Sequence, residues 1–183
     1  MVFVIIKETH KMATVKYPIV FFILIFVISC GEIEKLPPRP SISFTNFEIF
    51  DSVDLLGNDV KGGRLNFYFE DGDGDLGLAS PELNTSGDTT NLFFTLYRRT
   101  GGQLLPAADN DPLNPSDYRI PFMTRPGQNK ILRGNISVTF LYLFYTASDT
   151  VQYEFYVKDR SQLKSNTATT CEIVISNNGI CNK

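Results

Sequence analysis

Hydrophobic and polar residues alternate along most of this chain from Ser41 onward. Leu65, Phe67 and Phe69 are interleaved with Asn66, Tyr68 and Glu70, and Val151, Tyr153, Phe155 and Val157 with Gln152, Glu154, Tyr156 and Lys158. Ile136, Val138, Phe140, Tyr142 and Phe144 form a third alternating set, and Ile173 with Ile175 a short fourth. Successive side chains of a strand point to opposite faces, so a period of two marks strands with one face buried and one wet. Runs over 42–50, 92–98 and 118–122 add further strands. No stretch beyond residue 41 repeats its apolar residues every three to four positions between caps, as an amphipathic helix would. Six to eight short strands, separated by Gly, Pro, Asn and Asp, predict an all-β domain with antiparallel sheets.

The segment Tyr153-Glu154-Phe155-Tyr156-Val157-Lys158-Asp159-Arg160-Ser161, closing in Ser165-Asn166-Thr167, resembles the last hairpin of bacterial immunoglobulin-like domains. The resemblance implies an antiparallel immunoglobulin-like β-sandwich; a jelly roll or barrel is the alternative. Residues 41–176 are assigned to the sandwich and 177–183 to a C-terminal tail. Two loops exceed hairpin length, 71–90 and 106–117. The second, with Asp109-Asn110-Asp111-Pro112, has no readable ligand spacing and is expected to be a solvated loop.

Before residue 41 the pattern changes. Ile19 to Ile28 is an unbroken apolar run, preceded by Lys11 and Lys16 and followed by Ser29 and Cys30. Ten residues are too few to span a hydrocarbon core, which needs roughly 20. A basic start, an apolar middle and a small residue before the cut describe a secretory leader. Val27-Ile28-Ser29-Cys30 resembles the lipobox of bacterial lipoproteins, which implies a lipidated Cys30 at the mature N-terminus. Residues 1–29 are then the signal peptide, starting at Met1 or Met12, and 30–40, with Pro37-Pro38-Arg39-Pro40, a Pro-rich tether. The mature chain would hold 154 residues, 14 basic and 19 acidic, for a net charge of −5. That balance excludes nucleic acid and anionic lipid as electrostatic partners. Membrane attachment is expected through the acyl chains on Cys30.

Glu70-Asp71-Gly72-Asp73-Gly74-Asp75-Leu76-Gly77 follows directly on the strand 65–69. Four acids in six residues repel one another and need solvent, a basic partner or a cation. In an extended strand Asp71, Asp73 and Asp75 would stand about 6.8 Å apart, too far to share one ion. Gly72, Gly74 and Gly77 allow the backbone to coil so that the carboxylates converge. Calcium suits such a set, since it takes six to eight hard oxygen ligands. The spacing follows the calcium-loop pattern D-x-[DN]-x-[DN]-G-x5-E, with Asp71, Asp73 and Asp75 at one, three and five and Glu82 at twelve. Leu76 replaces the glycine at six, and no helices flank the loop as they would in an EF-hand. The alternative is an acidic turn that only keeps a strand end soluble. The string Phe69-Glu70-Asp71-Gly72-Asp73-Gly74-Asp75-Leu76-Gly77-Leu78, with the lipobox and spacer, is similar to a motif in uncharacterised lipoproteins of the Bacteroidota, with the pattern D-G-D-G-D-[LI]-G. That group carries no established activity. The resemblance implies the outer membrane, facing the periplasm or the cell surface.

Cys171 and Cys181 remain as a candidate disulfide in an oxidising compartment. A tight hairpin at Asn178-Gly179 would pair Cys181 with Ser176 and leave Cys171 about 17 Å away. A bridge would require the tail to curl instead. The one histidine, His10, falls before the apolar run, so a mature domain would lack imidazole bases, catalytic triads and histidine metal sites. No residues single out a catalytic site. The function expected is a non-catalytic, calcium-stabilised binding or assembly module of the cell envelope, with an envelope protein or a glycan as partner. Carbohydrate binding on outward-facing Tyr68, Tyr97 and Tyr156 is the alternative, and a carboxylate-based glycan hydrolase a more distant one.

Overall fold

The computed structural model describes residues 35–80, 89–124 and 129–183. The expectations for the leader, for Cys30 and for Glu82 lie outside them. The described residues form nine strands: β1 (Ser41–Val53), β2 (Asp59–Asp71), β3 (Leu92–Thr100), β4 (Gln103–Pro106), β5 (Leu132–Tyr142), β6 (Thr150–Val157), β7 (Ala168–Thr169), β8 (Ile173–Val174) and β9 (Gly179–Asn182). No helix occurs among the described residues. One sheet has the order β5-β2-β1-β9 and the other β4-β3-β6-β7, with β8 also on β6; every pairing is antiparallel.

The alternation read from the sequence is the alternation of burial. Leu65, Phe67 and Phe69 of β2 and Val151, Tyr153, Phe155 and Val157 of β6 are buried, while their neighbours are half-exposed. The two faces meet through aromatic rings: Phe67 lies 5.2 Å from Phe155, and Phe47 lies 6.0 Å from Tyr153. Such offset and tilted ring pairs add to the area they bury. Tyr153 donates to Leu113 O at 3.1 Å, so Tyr142 supplies the proton in their 3.0 Å bond. Both hydroxyls are thereby satisfied inside the core.

Four local expectations are corrected. Residues 118–122 form isolated bridges to Leu92 and Leu78 rather than a strand. Phe144 lies beyond the end of β5 and is exposed, because the chain has already turned. The loop 106–117 is not merely solvated: Leu113 is in the core, and Arg98 holds Asp111 at 2.9 Å and also binds Asp149. Residues 177–183 are not a tail, and no hairpin pairs Cys181 with Ser176. Instead β9 runs along β1, with Cys181 opposite Phe47. That path brings Cys181 within 6.4 Å (Cα to Cα) of Cys171, and the two are joined by a disulfide. It ties a residue beside β7 and β8 to a strand of the other sheet.

Register fixes which loops share an end. Ser41 faces Glu70, so the start of β1 and the end of β2 lie together. Lys61 faces both Asp51 and Tyr142, which places the β1–β2 turn near the loop after β5. The acidic loop therefore sits at one end of the sandwich and the exposed Leu55, Leu56, Leu143 and Phe144 at the other. Residues 35–40, the described part of the Pro-rich stretch expected over 30–40, lie at the acidic end. Arg39 Nε donates to Lys164 O at 2.5 Å, and Gly72 N to Pro37 O at 3.1 Å.

Candidate metal centre

The acidic loop is built by the strand that precedes it. The inward phase of β2 continues Leu65, Phe67, Phe69, Asp71, so Asp71 enters the core end of the sheet with no exposed surface. Leu76 and Leu78 are buried as well and pin the far side of the loop. Leu76 N donates to Asp71 Oδ2 at 2.7 Å. The residue that breaks the calcium-loop pattern is therefore a core anchor whose amide orients the first carboxylate. Gly74 and Gly77 have φ of 67° and 100°, the left-handed region that favours glycine. Gly72 serves differently: a Cβ there would lie 2.3 Å from Pro37 O, so only glycine lets residues 36–37 run across the loop.

Coiling brings the carboxylates together. One oxygen from each of Asp71, Asp73 and Asp75 lies within 4.8 Å of the others. Two oxygens bound to one calcium at 2.3–2.6 Å can be no more than about 5 Å apart, so the three fit a shared ion. The sequence expectation placed Glu82 with them, but Glu82 lies outside the described residues. Burial pushes the Asp71 carboxyl up to about 6; the Leu76 amide lowers it, while Asp73 and Asp75 raise it.

Asp159 is the carboxylate that sequence reasoning missed. It is 1 % exposed and follows the end of β6 in the inward phase of Tyr153, Phe155 and Val157. An aspartate in the buried phase of a strand end is the signal that was available. Its Oδ1 accepts Leu163 N at 2.8 Å. Burial raises its carboxyl, and the Asp75 and Asp73 charges raise it further. The turn it begins holds the acidic loop directly: Ser161 Oγ donates to Asp75 Oδ2 at 2.7 Å, and Arg160 N to Asp75 O at 3.4 Å.

Among the described residues no lysine or arginine pairs with Asp71, Asp75 or Asp159. Arg160 turns its guanidinium to Gly77 O at 2.8 Å and over the Phe122 ring. Arg119 likewise goes to backbone, Leu78 O at 2.9 Å. Asp71 Oδ1, Asp75 Oδ1 and Asp159 Oδ2 are buried and accept no N–H or O–H. A buried carboxylate oxygen without a partner is costly, so the donor set fits a hard divalent cation. Comparison with protein-family models, curated proteins and solved structures returns no match.

Proposed function

We propose that this chain is a lipid-anchored module of the bacterial cell envelope, non-catalytic, stabilised by calcium at its tethered end and serving in binding or assembly. The observation that carries the calcium reading is that buried oxygens of Asp71, Asp75 and Asp159 accept no hydrogen bond among the described residues. The lipidated Cys30 and the outer-membrane address rest on the lipobox resemblance and the apolar run before it. An immunoglobulin-like topology is supported by strand order. Lettered along the chain, β5-β2-β1 reads E-B-A and β4-β3-β6-β7 reads C′-C-F-G. The strand β9 is an addition beside A.

Two observations favour a protein partner over a glycan. Leu55, Leu56, Leu143 and Phe144 are exposed at the end away from the acidic loop. The tyrosines do not form a shared platform: Tyr68 lies on the outer face of one sheet, Tyr97 and Tyr156 on that of the other. Tyr156 instead stacks on Phe93 under Lys164. Against a glycan hydrolase, Asp71 is fully buried, and the oxygens of Asp71, Asp73 and Asp75, within 4.8 Å of one another, are closer than the roughly 5–9.5 Å separation of a glycosidase pair.

The test is a melting curve of the full chain with calcium and with chelator. At a calcium concentration of about 100 Kd, mass action adds about 2.7 kcal/mol, which for this size raises Tm by about 5–10 °C. The Asp73→Ala variant should lose that increment. A Tm indifferent to calcium, chelator and Asp73→Ala would overturn the calcium reading.

A further inference from the structure

Two strands from opposite sheets end in the same way. The inward series of β2 runs Leu65, Phe67, Phe69, Asp71, and that of β6 runs Val151, Tyr153, Phe155, Val157, Asp159. Phe67 and Phe155 face each other across the core at 5.2 Å. Four residues further along each strand the paired aromatics give way to a pair of aspartates. Both are buried, at 0 % and 1 % exposure. Each has one oxygen held by a backbone amide, Leu76 N for Asp71 and Leu163 N for Asp159. Each has its other oxygen buried with no hydrogen bond to it.

A second carboxylate of this kind, on a separate segment, is more than an acidic loop requires. Placing the Asp159 charge beside Asp73 and Asp75 without compensation would favour opening the turn to water. The turn is instead closed and specific. Gln162 adopts φ 65°, Gln162 N donates to Asp159 O at 3.2 Å, and Leu163 N is consumed by the Asp159 carboxylate. These bonds fix one carboxylate oxygen and leave the second free to be a ligand. The same turn reaches the loop through Ser161 and Arg160, so a cation there would have protein on both sides.

We propose that Asp159 is a ligand of the cation site, which lies between the acidic loop and the turn after β6, so that one divalent cation clamps the ends of the two sheets together. This rests on the calcium reading above and changes its ligand set. The carboxylate assigned by the linear pattern to Glu82 is supplied from a distant part of the chain. The oxygens of Asp71, Asp73 and Asp75 lie within 4.8 Å of one another and Asp159 stands outside that set, so its side chain closes on the ion when the cation takes an oxygen from each sheet's terminal loop, and water or backbone carbonyls complete a shell of six to eight.

The experiment is calcium titration by calorimetry of the full chain, purified in detergent, with the Asp159→Asn and Glu82→Gln variants alongside. Asp159→Asn keeps the acceptor for Leu163 N and removes only the charge. It should weaken calcium binding by about tenfold or more, while melting in chelator at or above the wild-type temperature because a buried repulsion is gone. Glu82→Gln should bind within about twofold of wild type. Asp159→Asn binding as wild type does, or Glu82→Gln carrying the loss instead, would overturn the proposal and leave the calcium reading standing. No binding heat from the wild type would overturn both. A measurement independent of any variant is the 13C shift of the Asp159 side-chain carboxyl. It should move on addition of calcium, and an unmoved resonance at saturation sinks the assignment.

Discussion

Asp71 is where burial and charge conflict most directly. It is the inward continuation of an apolar series, lies beside two other carboxylates, and has its carboxyl pushed up to about 6 from an ordinary value near 3.8. Without metal, the folded state binds a proton there that the unfolded chain has already released between those values. Stability contributed by this group is therefore present at low pH and lost as pH rises toward 6. Comparing wild type with Asp71→Asn in chelator isolates it, since the amide cannot ionise and can still accept from Leu76. Urea midpoints should shift in favour of the variant as pH rises from about 4 to about 6, then run parallel above that. Midpoints that stay parallel throughout would mean that Asp71 is not charged against a penalty. This residue was legible in the sequence, as were Asp73 and Asp75, because a local acidic run with glycines has few other ways to settle. Asp159 was less so. It stands alone in a polar stretch, Lys158-Asp159-Arg160-Ser161, and its meaning depends on the acidic loop of the opposite sheet, more than eighty residues away.

At the scale of elements, the long strands could be read and the short ones could not. β2, β5 and β6 alternate because one face of each is buried, and burial dominates their composition. β1 hides a change of phase: a bulge between Phe44 and Asn46 switches the inward set from Ile42 and Phe44 to Phe47 and Ile49. β4 and β9 have four residues each, too few to show a period. β9 is also the reason the hairpin expected at Asn178-Gly179 fails. Its residues gain more by pairing with β1 than with the two-residue β8, and the curl this requires is what permits the disulfide. Closing a loop of about ten residues restricts the unfolded chain by about 2–3 kcal/mol. Reduction, or the Cys171→Ala/Cys181→Ala pair, should lower the urea-derived stability by that amount. Amides of β9 should exchange first, because β9 is an edge strand otherwise held only by β1. A reduced protein with unchanged midpoint and a protected β9 would show that strand pairing alone holds the edge.

Seen whole, the β domain has two unlike ends. One carries exposed Leu55, Leu56, Leu143 and Phe144; the other carries the carboxylates and the start of the domain. At the carboxylate end residues 36–39 are part of the fold, held by Gly72 N on Pro37 O and by Arg39 on Lys164 O and Ser165 O. Those acceptors and donors belong to the same two segments that bring Asp71 and Asp159 to the cluster. Neutralising the cluster should therefore stiffen the contact of residues 36–39 with the loop. Charge repulsion in the metal-free form acts on the loop that carries Gly72, and any opening of that loop releases Pro37 with it. Hydrogen exchange of the full chain makes this measurable residue by residue. Calcium should slow exchange of the Gly72 and Leu76 amides by about tenfold or more, which corresponds to about 1.4 kcal/mol or more of added local stability. Amides of the β1–β2 turn at the opposite end, such as Leu56 bonded to Asp54, should not change. Uniform slowing across both ends would mean that calcium acts by global stabilisation. No slowing at Gly72, in a protein whose Tm rises with calcium, would mean that the Gly72–Pro37 contact is indifferent to the ion. A selective effect would make the cation site the element that decides how firmly residues 36–39 are held to the acidic loop.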